Sequence, residues 1–490
     1  MCGFVGLLES ESKSVAPVIY DGLIALQHRG QDAAGITTFN GTFHIKKGQG
    51  LVQDVLQSKH MERLQGSMGV GHVRYPTMGS NSELDAQPLH LFYPYGIVMA
   101  HNGNVANYHR LREEVQNEFK RHMNTSSDLE VILNVFADSL SKSSELTDEA
   151  VFEAVNKVFK SAKGAYSVVA MIAGYGLVAF RDPSGIKPCA VGKRVSEEST
   201  NWAVASESIS FGLMGYEHVG DLEAGEAIIV RLDDPDHPRR QVLETIEHTP
   251  CIFEHIYFAR PDSVLDGISV NAVREQQGKA LAKKIKEAGF TIDVVVPVPD
   301  SARTAAYALS KELGLDFSEA LVKNRYVGRT FIMPDQKARR SSVRSKLSPI
   351  KREIEGKHVL LLDDSIVRGN TSAQIVEMVR KCGAKSVNFA SYSSPIRYPC
   401  VYGIDMSRFE EFVAHEKEEE EIREVIGCDN LVYQDVDTMN EAALSVTSCV
   451  GKFCDACFTG NYPVGGIKKE DFANIASDRD RGDSFSISIK

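Results

Sequence analysis

The stretch Val359-Leu360-Leu361-Leu362-Asp363-Asp364-Ser365-Ile366-Val367-Arg368-Gly369-Asn370-Thr371-Ser372 decides the fold of the second half of this chain. Val359 to Leu362 is an unbroken apolar run, the pattern of a strand buried on both faces. It runs out into two carboxylates, then a loop of small polar residues, then a helix expected over Thr371–Cys382. Backbone N–H groups at that helix start, with the Thr371 and Ser372 hydroxyls, make an anion site. The two acids cannot face a phosphate directly. They suit ribose hydroxyls, or a hard divalent cation with oxygen ligands. The string therefore asks for a ligand carrying both a sugar and a phosphate. It is not a P-loop, because Gly-Lys-Ser/Thr is absent.

Around this string, buried strands alternate with helices. Strands are expected at Asp293–Val298 and Ser386–Ser391, and helices at Glu275–Gly289, Ala302–Leu313, Arg408–His415 and Glu416–Ile426. That alternation means a parallel sheet in an α/β domain spanning about 250–465. Between its strands, Lys323 to Arg352 carries ten Lys/Arg and one acid, Asp335. In a chain of net charge −11 this concentration suits a lid that closes over a pyrophosphate, stabilising leaving charge and excluding water. The acidic run Glu416–Glu424 reads as a solvated helix face, and 466–490 as a polar C-terminal tail, frayed at its end.

Upstream the pattern differs. Strands Gly3–Leu8, Ala34–Phe39, Gly69–Val73, Ile97–Asn102, Tyr166–Ala173, Tyr175–Arg181 and Trp202–Ala205 dominate. Fewer helices are expected, at Asp21–Gln27, Val105–Arg121, Ser127–Leu140 and Asp148–Phe159. This fits a layered α+β domain over residues 2–240, with a low-regularity bridge near Asp233–Glu247. The length of 490 residues allows two to four domains, and 43% hydrophobic with 25% charged residues is ordinary for a globular enzyme. The acidic balance argues against a nucleic-acid or membrane-surface partner. No run approaches a transmembrane length and no signal peptide is visible. Nine scattered cysteines suit a reducing, cytoplasmic setting better than a disulfide framework.

Cys2 follows the initiator methionine directly. Ordinary removal of Met1 would place a thiol and a free α-amine on one residue, a nucleophile with its own general base. Such a thiol needs donors for a developing oxyanion, and Asn102 and Gly103, in a turn after a strand, can supply a side-chain amide and a backbone N–H. An amino-acid substrate would also need a cation for its carboxylate and a carboxylate for its ammonium. Arg74 and Asp128 are the candidates.

Together, Met-Cys-Gly at the start, LQHRGQDAAGI (26–36), HVRYPT (72–77), HNGN (101–104), TSSDLE (125–130) and Phe180–Pro188 resemble the glutaminase domain of class II glutamine amidotransferases, an αββα N-terminal-nucleophile fold. The resemblance implies that Cys2 attacks the glutamine amide and that Asn102 and Gly103 form the oxyanion hole. It implies that Arg74 and Asp128 hold the glutamine carboxylate and amine, and that Arg29 shapes the pocket. The 359–372 string resembles the phosphoribosylpyrophosphate (PRPP) motif of type I phosphoribosyltransferases. That implies ribose and Mg²⁺ contacts from Asp363 and Asp364, joined in the metal site by Ser301. It implies a 5′-phosphate loop of Ser365, Arg368, Gly369, Asn370, Thr371 and Ser372, and PRPP contacts from Lys323 and Arg329 of the flexible loop.

Cys454-Asp455-Ala456-Cys457 is a C-x-x-C pair, with Cys251 and Cys400 far upstream. Spacing alone leaves zinc, an iron–sulfur cluster and reduced thiols all open. The contexts of these four positions resemble the branch of PRPP-using amidotransferases that carries a four-iron, four-sulfur cluster, which implies a structural [4Fe-4S] centre on Cys251, Cys400, Cys454 and Cys457. For the whole chain the resemblance implies conversion of PRPP, glutamine and water into 5-phosphoribosylamine, glutamate and pyrophosphate, the committed step of purine synthesis. Ammonia would pass internally between the two sites, purine nucleotides would inhibit by feedback at the PRPP site, and the chain would form a homo-oligomer, a tetramer. Two other readings fit less well. An asparagine or hexosamine synthase would not carry the 363–372 string, and a non-enzymatic nucleotide sensor would not retain Cys2, Asp363 and Asp364 together.

Overall fold

The computed structural model describes residues 1–10, 12–75, 82–196, 199–324 and 346–485. Most of the basic segment, including Arg329, lies outside the described residues.

The first half is a sandwich of two antiparallel sheets. One has seven strands, with Gly3–Leu8 paired between Met68–Arg74 and Thr200–Ala205. The other has six, with Ile97–Val105 paired to Gly164–Ile172. Strand alternation splits each strand's side chains between two cores. From Ile97–Val105, Val98 and Ala100 join Phe4, Met68, Val70 and Val169 between the sheets. Its alternate residues Ile97, Met99 and Val105 face outward under helices Asp128–Ser141 and Asp148–Ser161. Helix Ala16–Ala25 covers the other sheet through Ile19 and Leu23. The result is the expected αββα arrangement.

The second half is a five-stranded, wholly parallel sheet. Its order runs Asp316–Phe317, Val294–Pro297, His358–Asp363, Ser386–Ser391, Leu431–Tyr433. Val359 and Leu361 face a core under helix Asn370–Lys381, while Leu360 and Leu362 face a second core with helices Val270–Ala288 and Arg303–Leu313. Burial of both faces explains the unbroken apolar run.

Three local expectations are corrected. Arg408–His415 is not a helix: it holds a 3₁₀ turn, Phe409–Glu411, and then Val413 N–H donates to Val367 O (2.9 Å) while Arg397 binds the Ala414 and Lys417 carbonyls. The 233–247 bridge is not irregular throughout, because Arg239–Val242 pairs with Glu226–Arg231 as an edge strand. Beyond residue 468 the chain forms a helix, Lys469–Phe485, pinned to the first half by Arg110–Asp471 (2.9 Å) and His109–Asp478 (2.7 Å). No helix among the described residues is long and apolar enough to cross a membrane.

Candidate active sites

Cys2 immediately precedes the central strand Gly3–Leu8 and is 6% exposed. Its backbone N–H donates to Asn102 Oδ1 at 3.3 Å, and its thiol lies 3.5 Å from the Tyr75 carbonyl. That first contact fixes the Asn102 amide: with Oδ1 accepting, Nδ2 is the free end. Asn102 Nδ2 is buried and has no hydrogen-bond partner. An unpaired buried donor is costly, and here it sits beside the nucleophile, where a substrate oxygen would satisfy it. Gly103 is required at its place, because a Cβ there would lie 2.0 Å from the Ala165 carbonyl oxygen. Sequence-predicted Cys2, Asn102 and Gly103 are thus brought together.

Met1 is buried with Cys2, its sulfur 2.7 Å from Lys187 Nζ. Burial, with Lys187 and Arg29 nearby, pushes the α-amine down to about 5.

Arg29 donates through Nε to the Cys2 carbonyl (2.9 Å) and is itself held by two carboxylates. Glu254, from the second half, binds it bidentately at 3.0 and 2.8 Å, and Glu207 takes Nη1. Glu207 also accepts from His28 (2.8 Å) and Ser263 (2.7 Å). Burial alone would raise Glu207, but His28 and Arg29 hold it well below the usual carboxylate range. Arg74 ends the strand Met68–Arg74 and is buried. Asp128 opens helix Asp128–Ser141, accepting the Val105 N–H at 2.9 Å and lying 3.2 Å from His101 Nε2. Burial pushes its carboxyl up, yet His101 and the backbone donors outweigh it and the net shift is downward.

The second site lies at the carboxyl end of His358–Asp363. Asp364 accepts from Ser365 Oγ (2.6 Å) and Ser301 Oγ, and its own N–H goes to Asp363 Oδ1 (2.9 Å). Burial and the Asp364 charge push Asp363 well up, and burial also raises Asp364. Asp364 is buried and Asp363 half-buried, and a cation between them would offset their mutual repulsion. Gly369 precedes helix Asn370–Lys381 with φ of 75° and offers no side-chain cap. The first-turn N–H groups at Asn370, Thr371 and Ser372 therefore stay available to an anion. Arg368 points away from this loop to pair with Glu411. Lys323 reaches Asp300 at 2.8 Å, beside Ser301.

Cys251, Cys400, Cys454 and Cys457 are all buried, and none of the nine cysteines is in a disulfide. Three chain segments are stitched together here. Ile252 N–H donates to Cys454 O (3.2 Å), Cys454 N–H to Pro250 O (2.9 Å), and Arg397 and Tyr398 N–H to Cys457 O (3.1 and 3.0 Å). Burial, with Glu254 and then Cys400 adding against Lys187, pushes Cys251 up to about 11; burial and then the neighbouring thiols push Cys454 and Cys457 well above the ordinary value. Among the described residues no three side chains converge tightly enough to ligate one metal ion. Four cysteine thiols are the donor set that an iron–sulfur cluster takes.

The two halves of the chain touch beside the first site. Asn104 Nδ2 donates to Val401 O (2.9 Å) and Tyr75 OH to Asp405 (2.7 Å). Gly403 lies so near Gly103 that a Cβ would come within 3.0 Å of its carbonyl carbon. Sequence reasoning missed Glu207, Glu254, His101, Gln87 and Tyr75 as site residues. Only His101, inside HNGN, and Tyr75, inside HVRYPT, had a local signal.

Residues 72–211 match the glutamine amidotransferase domain and residues 269–397 the phosphoribosyl transferase domain. An amidophosphoribosyltransferase of Pseudomonas aeruginosa is 47% identical over 474 residues, covering 96% of this chain and 94% of the relative. That of Saccharomyces cerevisiae is 44% identical over 499 residues, covering 98% and 97%. The solved glutamine PRPP amidotransferase from B. subtilis, complexed with ADP and GMP, superposes with a TM-score of 0.84 at 36% identity, covering 96% of this chain and 98% of that one. With such identity held across nearly the whole of both chains, and with both sites present, the chain belongs to the amidophosphoribosyltransferase family.

Proposed function

We propose that this chain releases ammonia from glutamine at Cys2 and transfers it to PRPP at the Asp363–Ser372 site, giving 5-phosphoribosylamine, glutamate and pyrophosphate. The observation that carries the reading is Asn102, whose Oδ1 is 3.3 Å from Cys2 N and whose buried Nδ2 awaits an acceptor. Once Met1 is removed, the Cys2 amine takes the thiol proton and the thiolate attacks the amide carbon. Asn102 Nδ2 and the Gly103 N–H stabilise the oxyanion. Arg74 orients the α-carboxylate and Asp128 the α-ammonium. Ammonia leaves, and water releases glutamate from the thioester.

At the second site the helix start at Asn370–Ser372 binds the 5′-phosphate, and the acids orient the ribose diol. Mg²⁺ held by Asp363, Asp364 and Ser301 would neutralise pyrophosphate charge. Lys323 adds a cation at the edge of the same site. A four-iron cluster on Cys251, Cys400, Cys454 and Cys457 would be structural, since these thiols tie segments near 251, 400 and 454 together.

Internal passage of ammonia is supported by the 401–405 segment lying against Gly103 and Asn104. Feedback by purine nucleotides is supported by a related solved enzyme described as the allosteric regulatory enzyme of purine biosynthesis, 35% identical. A homotetramer in the cytoplasm completes the reading, and light scattering reads the assembly. The central test is Cys2→Ala. Glutamine-dependent synthesis is lost while synthesis from free ammonia persists, and loss of both defeats the two-site reading.

A further inference from the structure

We propose that His101 is a positioning residue for glutamine recognition, clamped by Gln87 so that its ring aims Asp128 at the substrate's α-ammonium. The inference rests on the reading of Asp128 as that ammonium's acceptor. Gln87 Oε1 accepts the His101 backbone N–H at 3.0 Å, which fixes the orientation of the Gln87 amide. Gln87 Nε2, 3.1 Å from His101 Nδ1, is then the donor. Nδ1 also lies 3.4 Å from Gln87 Oε1; the shorter contact, to Nε2, is made when Nδ1 accepts, which places a ring proton on His101 Nε2. That nitrogen lies 3.2 Å from Asp128 Oδ2, which also takes the Val105 N–H at 2.9 Å.

The Val105 N–H holds Oδ2, and the His101 ring, in contact at 3.2 Å but not aligned for a hydrogen bond in the free protein, walls that oxygen in and leaves Oδ1 for the incoming ammonium. His72 Nε2 braces the same residue by donating to the His101 carbonyl at 3.1 Å. All four side chains, His72, Gln87, His101 and Asp128, are buried, so the chain of contacts is shielded from competing water. His101 and Asn102 are also consecutive on one strand. The oxyanion donor and the residue that contacts the ammonium acceptor are therefore carried on one rigid segment.

The test uses full-length, anaerobically purified enzyme and two substrates, glutamine and 4-carbamoylbutanoate, which is glutamine without the α-amino group. His101→Leu is expected to raise KM for glutamine about 10- to 100-fold, the effect of one contact to a charged group. It leaves KM for 4-carbamoylbutanoate within about twofold, so the preference for glutamine collapses, while ammonia-dependent synthesis is unchanged. His101→Gln, which can present an amide N–H near the place of Nε2, retains most of the preference. Gln87→Met, which frees Nδ1, loses part of it and serves if His101→Leu does not fold. Equal losses on both substrates, or an unchanged KM for glutamine, overturn the inference and leave His101 a packing residue. Asp128→Asn separates the two levels. If Asp128→Asn keeps the wild-type preference, the ammonium reading itself fails; if it collapses the preference and the His101 and Gln87 variants do not, only the present inference fails.

Discussion

Asn102→Ala removes a donor that the free protein leaves unpaired, and this makes its consequences separable. Nδ2 has no partner before substrate arrives, so its loss breaks no bond in the resting enzyme. The stability change comes from losing Oδ1 as acceptor for Cys2 N, one neutral hydrogen bond worth about 0.5–1.5 kcal/mol. This is partly offset by no longer burying an unsatisfied amide. The catalytic change is larger. One oxyanion donor is worth roughly 10²–10³ in kcat, about 2.7–4 kcal/mol. Glutamine-dependent kcat should therefore fall about 10²–10³-fold, with KM for glutamine little changed and ammonia-dependent synthesis intact. Asn102→Asp distinguishes donor from filler. It keeps the shape and an acceptor toward Cys2 N but offers no donor, so it should fall at least as far. Assays of glutamate release and of PRPP-dependent synthesis, each with glutamine and with ammonium salt, read both halves. A loss below about tenfold in either variant, or a parallel loss with ammonia, refutes the assignment.

Glu207→Gln tests the buried clamp on Arg29. The folded pKa of Glu207 is depressed, so its contribution is present above the unfolded value of about 4.3 and is lost as pH falls. The variant should be less stable by about 1–3 kcal/mol at pH 7. The gap to wild type should close below pH 4.3 by up to about 1.4 kcal/mol per unit, read by chemical denaturation. A gap that stays constant from pH 7 to 3 counts against it. For the cysteines, anaerobic purification should yield about four irons and four sulfides per chain, with Cys457→Ser reducing both. A colourless, iron-free, active wild type would remove the cluster.

What the sequence disclosed was chemistry written contiguously. Asp363, Asp364 and the loop to Ser372 are one string, because a strand end and its following loop deliver neighbouring residues to one place; Asn102 and Gly103 are adjacent too, but inside the strand Ile97–Val105 rather than in the expected turn after it. The rest was hidden by distance or by the wrong kind of pattern. Glu254 reaches Arg29 across 225 residues, and no local periodicity marks a carboxylate that serves another domain. The helix Lys469–Phe485 is held partly through Asp471 and Asp478, so an apolar-stripe reading saw only a polar tail. Arg239–Val242 is exposed throughout and shows no alternation to betray a strand.

The segment leaving the Ser386–Ser391 strand unites these hidden parts. At its start, Tyr392 N–H donates to Asp363 O (3.2 Å) and Ser393 N–H to Asp364 O (3.1 Å), on the backbone of the paired acids. Cys400 follows, and then Val401 and Gly403 meet Asn104 and Gly103 of the glutaminase strand. Asp363 and Asp364 are thus connected to Asn104 and Gly103 through a dozen residues that include Cys400. Neither motif carries this connection by itself, since it exists only where the carboxyl end of the parallel sheet is packed against the sandwich.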